Sequence, residues 1–222
     1  MRQHSGAGVE SHTFMKLIVL GATGGTGRQI VSQAIERGHS VTAFVRAPDA
    51  LSGFGDRIAV VRGNLLSSSE LQRVLEGQDA AISAFGPRLP LSKADATLLQ
   101  RFAVALTGGM RQAKIRRVVV ESTAFLFKES IIPPTYLIGR LFFGDIVRDA
   151  SEMENVFRKS ELDWTLVRPP RLTDKPRTGK YRIQEGRLPR FGFTISRADV
   201  ADFMIKAGEN HATAGKVMGV SD

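Results

Sequence analysis

Leu17-Ile18-Val19-Leu20-Gly21-Ala22-Thr23-Gly24-Gly25-Thr26-Gly27-Arg28 decides the fold. An apolar run ends in a glycine-rich turn, and a helical pattern follows at once. The run does not alternate, so it reads as a parallel strand buried on both faces. The glycines recur as Gly21-x-x-Gly24-x-x-Gly27. In a dinucleotide-binding turn one such glycine permits the reversal, one lets the backbone approach a pyrophosphate, and one lets helix pack on strand. The helix that begins there aims unpaired N–H groups and a positive dipole end at phosphate. Gly25 belongs to the same loop, and Thr23 and Thr26 add hydroxyl donors.

Outward from this turn, Ile30, Val31, Ala34 and Ile35 keep helical spacing, and Gly38 supplies a left-handed stop. A strand over 40–45 ends at Arg46. An acidic residue about 20 positions beyond the glycine turn reads a ribose 2′-hydroxyl, whereas arginine suits a 2′-phosphate. Arg46 therefore predicts NADP(H). Further strands are expected over 58–61, 80–84, 117–120, 164–167 and 217–220, with a short one over 181–183. Helices are expected over 94–112, 151–159 and 199–207, and a short one is capped by Ser67 or Ser68. Residues 128–148, with Pro133-Pro134, Gly139 and Gly144, read as a lid-like or interface segment. The pattern predicts an α/β, Rossmann-type doubly wound domain: one mainly parallel sheet with helices on both faces. It spans 15–222, with a small C-terminal portion on the substrate side, and 1–14 are expected to form a disordered leader.

In such a sheet the loops at the carboxyl ends of the strands line the ligand crevice. Asn64 and Leu65 are thereby expected beside an adenine; Phe85, Gly86 and Arg88 beside ribose and phosphates. Ser122 and Thr123 end another strand, where two hydroxyls reach a nicotinamide or substrate, or satisfy local backbone. Phe125 and Phe127 follow as an apolar wall, and Pro169 lies in the Arg168-Pro169-Pro170-Arg171 turn over the crevice.

Composition narrows the rest. The 222 residues contain no cysteine, which excludes disulfides, a thiol nucleophile and cysteine-bound metal. No run approaches the roughly 20 apolar residues of a membrane span. A cytoplasmic protein, monomeric or homodimeric and without a metal, is expected. The formal net charge is +9. Much of the excess falls late, from Arg168 to Arg197. It reads as a solvated basic surface, a funnel for anionic ligands or a nucleic-acid face. No compact charge run or recognisable nucleic-acid module supports the last, so no nucleic-acid partner is expected.

The glycine turn, Val45-Arg46 and Val167-Arg168-Pro169-Pro170 together resemble the atypical short-chain dehydrogenase/reductase superfamily in its NmrA-like branch. Phe85-Gly86-Pro87-Arg88, Ser122-Thr123-Ala124-Phe125-Leu126 and Pro169-Pro170-Arg171 are most similar to the biliverdin-IXβ/NADPH-dependent flavin reductases. The resemblance implies that Thr23, Gly24, Thr26 and Gly27 hold the pyrophosphate, Arg46 the 2′-phosphate, and Gly86 and Arg88 the length of the cofactor. It gives Thr123 and Ser122 the orienting of nicotinamide or acceptor. Phe125, Phe127 and Tyr136 would stack on that acceptor. Arg171 stands where these reductases carry histidine; it cannot act as an acid but can anchor a carboxylate or phosphate. The superfamily's Tyr-x-x-x-Lys pair has only Tyr136-x-x-x-Arg140 as its counterpart here. The implied activity is hydride transfer from NADPH to a small flavin, tetrapyrrole, quinone or similar conjugated acceptor. The alternatives are a non-catalytic NADP(H)-binding regulator and a sugar-nucleotide epimerase or dehydratase.

Overall fold

The computed structural model describes residues 14–87, 96–127 and 133–222, with 133–143 described as helix alone. The leader expected over 1–14 lies, except for Phe14, outside the described residues, as does Arg88.

The apolar run forms β1 (Lys16–Leu20), and α1 (Gly25–Glu36) starts within the glycine turn. β2 (Ser40–Val45) and β3 (Ala59–Arg62) extend the sheet on one side of β1. On the other side lie β4 (Ala80–Ser83), β5 (Arg117–Glu121), β6 (Asp163–Arg168), β10 (Lys216–Ser221) and β8 (Arg182–Glu185). The order is β3-β2-β1-β4-β5-β6-β10-β8, and every pairing is parallel except β8 with β10. The direction of strand order reverses between β1 and β4, which opens a crevice at their carboxyl ends.

Alternation along β1 builds the two cores. Leu17 and Val19 face α1 and α5 (Arg197–Glu209), whose Ile30, Val31, Val200 and Met204 are buried with them. Ile18 and Leu20 face α2 (Ser68–Leu75), α3 (Leu98–Ala113) and α4 (Pro133–Arg158), packed against Leu71, Phe102, Leu106, Met153 and Phe157. Ser67 caps α2 and Ser196 caps α5 by accepting the amides of Glu70 and Asp199.

Two expectations are corrected. The segment over 128–148 is helical from Pro133 onward, and α4 runs unbroken for 26 residues. Proline is tolerated in a first helical turn, where its missing N–H has no partner to lose. A parallel pair also stands outside the expected strands: β7 (Arg171–Thr173) and β9 (Thr194–Ser196) form a second small sheet. Among the described residues no helix is long and apolar enough to cross a membrane.

Candidate functional site

A cavity of about 860 Å³ opens at the carboxyl ends of β1, β2, β4 and β5. Cofactor and small-molecule sites run from about 300 to 1,000 Å³. Its floor is the glycine turn: Gly21, Thr23, Gly24, Gly25 and Thr26. Gly24 is the N-cap of α1 and no side chain caps the helix, so its first amides are left for a ligand. Gly21 has φ 77°, and a Cβ there would stand 2.6 Å from the Ala84 carbonyl oxygen. That position accepts only glycine.

One end of the cavity carries Phe44, Val45, Arg46, Ala47 and Leu65. The other end has apolar walls from α3 (Leu98, Leu99), α4 (Ile146, Ala150) and β7 (Leu172), with Phe85, Ser122 and Thr123 beside them. Phe85 is fixed by a tilted contact with Phe102, ring centres 4.7 Å apart. The arrangement joins a glycine turn and an uncapped helix terminus to an end carrying Arg46 and to an apolar end.

Ser122 and Thr123 reach this cavity by different bonding. Ser122 donates its hydroxyl to Glu154 Oε1 at 2.6 Å. Glu154, buried on α4, also accepts from Arg168 (Nε at 2.9 Å, Nη2 at 2.5 Å) and from Arg158 at 3.1 Å. The Ser122 proton is therefore committed to a buried carboxylate. Thr123 Oγ1 accepts the Phe125 amide at 3.3 Å, and such a hydroxyl keeps its own proton to donate.

Two contributors were not foreseen in sequence. Glu121, at the end of β5, lines the cavity and accepts from Thr26 Oγ1 at 3.3 Å. Burial pushes its carboxyl up to about 7, against the Thr26 bond and the charge of Arg197, which lower it. Arg197, at the start of α5, lays its Cδ 2.6 Å from where a Gly25 Cβ would be, and pairs with Asp174 at 2.6 Å. These residues lie far apart in sequence, and only the crossovers bring them together.

The remaining expected site residues fall as follows. Gly27 is not in the lining; a Cβ there would stand 2.1 Å from the Gly21 carbonyl oxygen, so it serves the packing of α1 on the turn. Asn64 turns to its own chain, Oδ1 accepting the Leu66 amide at 3.0 Å, while Leu65 faces the cavity. Pro169 is buried and its carbonyl accepts the Ala124 amide at 3.0 Å. Phe127 is not an open wall but a buried ring beneath Arg168, whose guanidinium carbon lies 4.5 Å from its centre. Phe125 is half-buried outside the lining. Arg171 is exposed on β7, and its neighbour Leu172, on the opposite face of the strand, meets the cavity. Tyr136 and Arg140 lie on α4, among residues described as helix alone. Among the described residues no group of three or more histidines, cysteines or carboxylates is placed to hold a metal.

Comparison with known proteins fits this geometry. Over 212 residues the chain is 29% identical to an uncharacterized chloroplastic protein of Arabidopsis thaliana, covering 91% of this chain and 75% of that one. A putative exported protein from Burkholderia pseudomallei superposes with a TM-score of 0.80 at 26% identity, over 94% of this chain and all of that one. Anaerobilin reductase ChuY from Escherichia coli O157:H7 shares the fold, with a TM-score of 0.76 at 20% identity, over 93% of this chain and 96% of that one. The NAD(P)H-binding family model matches residues 21–211, and the chain belongs to that family.

Proposed function

We propose that the protein is an NADPH-dependent oxidoreductase that reduces a flavin, tetrapyrrole, quinone or similar conjugated acceptor. The observation that carries this reading is one cavity of about 860 Å³ holding both an uncapped α1 terminus with Arg46 and an apolar end. The glycine turn makes a cradle that fits a dinucleotide: Gly21 and Gly24 leave no side chain between backbone and ligand, and the α1 amides face it.

In this reading Arg46 takes the 2′-phosphate and Leu65 packs on the adenine. Thr23, Gly24, Gly25 and Thr26 hold the pyrophosphate, and Phe85 and Gly86 flank the ribose. When bound, the nicotinamide supplies hydride. Thr123 orients it with the proton its hydroxyl retains. Ser122, tied to Glu154, sets the backbone there rather than transferring a proton. Leu98, Leu99, Ile146, Ala150 and Leu172 hold the acceptor and exclude water. Holding two reacting atoms in line supplies much of the rate in such reactions. Solvent supplies the proton, since a conjugated acceptor disperses the charge it gains. The shared fold of ChuY, an anaerobilin reductase, supports an acceptor of this class. Arg171, exposed on the face of β7 away from Leu172, lies outside the lining and is given no part in holding the acceptor.

The test follows NADPH absorbance with FMN, biliverdin or a quinone added. Consumption dependent on acceptor and protein is expected. Tight NADPH binding with no turnover on any of the three would overturn the enzyme and favour a regulator.

A further inference from the structure

Among the described residues the cavity lining contains one carboxyl group, and it stands against the phosphate cradle rather than at the acceptor end. Thr26 is the second residue of α1, and its hydroxyl is given to Glu121 Oε1 at 3.3 Å. An ionised carboxylate only accepts. So while Glu121 is charged, the Thr26 proton points down into β5, away from any ligand on the α1 amides. A protonated Glu121 can itself donate to Thr26 Oγ1. The Thr26 proton is then released to the cavity.

Repulsion acts in the same direction. A carboxylate one hydrogen bond from the cradle opposes a pyrophosphate, and like charges in a poorly solvated site are not both retained. The charged groups around Glu121 do not remove this conflict. From α5, Arg197 draws the carboxyl down, but less than burial raises it, and it is shared with Asp174 at 2.6 Å. Asp199, also on α5, is taken up by Ser196, Thr178 and Gly179. From β6, Arg168 is bound to Glu154 of α4. Beside β5, the end of β4 presents Ser83 and Ala84, without charge.

We propose that Glu121 is a positioning residue that takes up a proton when NADP(H) binds, and so turns the Thr26 hydroxyl onto the pyrophosphate. The inference rests on the NADP(H) reading of the site. The proton comes from solvent and no bond to carbon changes. The upward displacement of this carboxyl by burial makes that proton available near neutrality.

The experiment is calorimetric titration of the full chain with NADP+, in buffers of different ionisation enthalpy, for the wild type and Glu121→Gln. It is run between about pH 7 and 9, above the titration of the 2′-phosphate near about 6. The wild type is expected to take up about half a proton per NADP+ at pH 7, where the free carboxyl is already half protonated, rising towards one between about pH 8 and 9. Its affinity should fall by up to about tenfold per pH unit. Glu121→Gln, whose amide can donate to Thr26 permanently, should take up none and bind with a flat pH profile. Binding by the wild type without proton uptake overturns the inference and leaves the cofactor reading standing, as does uptake undiminished in Glu121→Gln. Failure of the wild type to bind NADP+ overturns both. Should Glu121→Gln not fold, infrared difference spectra of the wild type decide. NADP+ must bring up the carbonyl band of a protonated carboxyl group, and its absence overturns the proposal.

Discussion

Arg168 closes a two-pronged ion pair on Glu154, Nε to Oε1 at 2.9 Å and Nη2 to Oε2 at 2.5 Å, with both side chains almost fully buried. Removing one partner of such a pair strands the other and costs about 3–5 kcal/mol. Glu154→Ala should lose stability of that order in urea unfolding, and Ser122 would lose its acceptor as well. A loss below about 1 kcal/mol would mean that Arg168 reaches water, and the buried description of the pair would fail.

Arg46 is exposed at the end of β2 and lines the cavity. Hydrogen bonds to charged groups contribute about 1.5–3 kcal/mol, or roughly 10- to 150-fold in affinity. Arg46→Ala should weaken NADPH by that factor and leave NADH within about threefold. Fluorescence titration with each cofactor reads the difference. Equal losses would remove Arg46 from the 2′-phosphate.

Glycines of the same loop system should differ sharply. A Cβ on Gly27 would collide with the Gly21 carbonyl oxygen at 2.1 Å, a backbone atom that cannot move aside cheaply, whereas a Cβ on Gly86 meets nothing within 4 Å. Gly27→Ala is expected to lose about 3 kcal/mol or fail to fold, and Gly86→Ala to stay within about 0.5 kcal/mol. Thermal unfolding of the two variants side by side checks the contrast.

Glu121 also shapes stability without any ligand. Its carboxyl titrates near about 7 in the folded protein against 4.5 ordinarily. A raised carboxyl favours the fold fully below the ordinary value, and that support disappears as pH rises through the folded one. The shift sets an upper bound of roughly 3 kcal/mol, reduced where the cavity admits water. Glu121→Gln should therefore unfold about 1–2 kcal/mol less readily than the wild type at pH 8 and match it near pH 4. An equal gain at both pH values would show packing rather than charge.

The glycine turn carried most of the fold because local geometry dictates it: Gly21 at φ 77° beside Ala84 admits nothing else. The parallel strands followed from unbroken apolar runs such as Leu17 to Leu20. α4 was hidden because Pro133, Pro134, Gly139 and Gly144 carry breaker signals. The prolines fall in the first turn, and the packing of Met153 and Phe157 holds the far end. β7 and β9 are three residues each, too short for a period to show. That Arg46 and Leu65 line the cavity was legible because strand ends face the crevice. Phe127 was misread because burial under Arg168 depends on a residue 41 positions away, and nothing in a local pattern reveals it. The pairing of Thr26 with Glu121 was invisible for the same reason.

Asp149 of α4 caps a different helix, accepting the Leu99 amide at 2.8 Å and the Gln100 amide at 2.9 Å at the start of α3. Ile146 and Ala150 on either side of it, and Leu98 and Leu99 opposite, form the apolar end of the cavity. That wall is thus stitched across its middle, and a guest that wedges the helices apart must break the stitch. The exchange of those two amides with deuterated solvent becomes a built-in gauge: slower when a molecule fills the gap without prying it open, faster when its girth exceeds what the two helices leave between them.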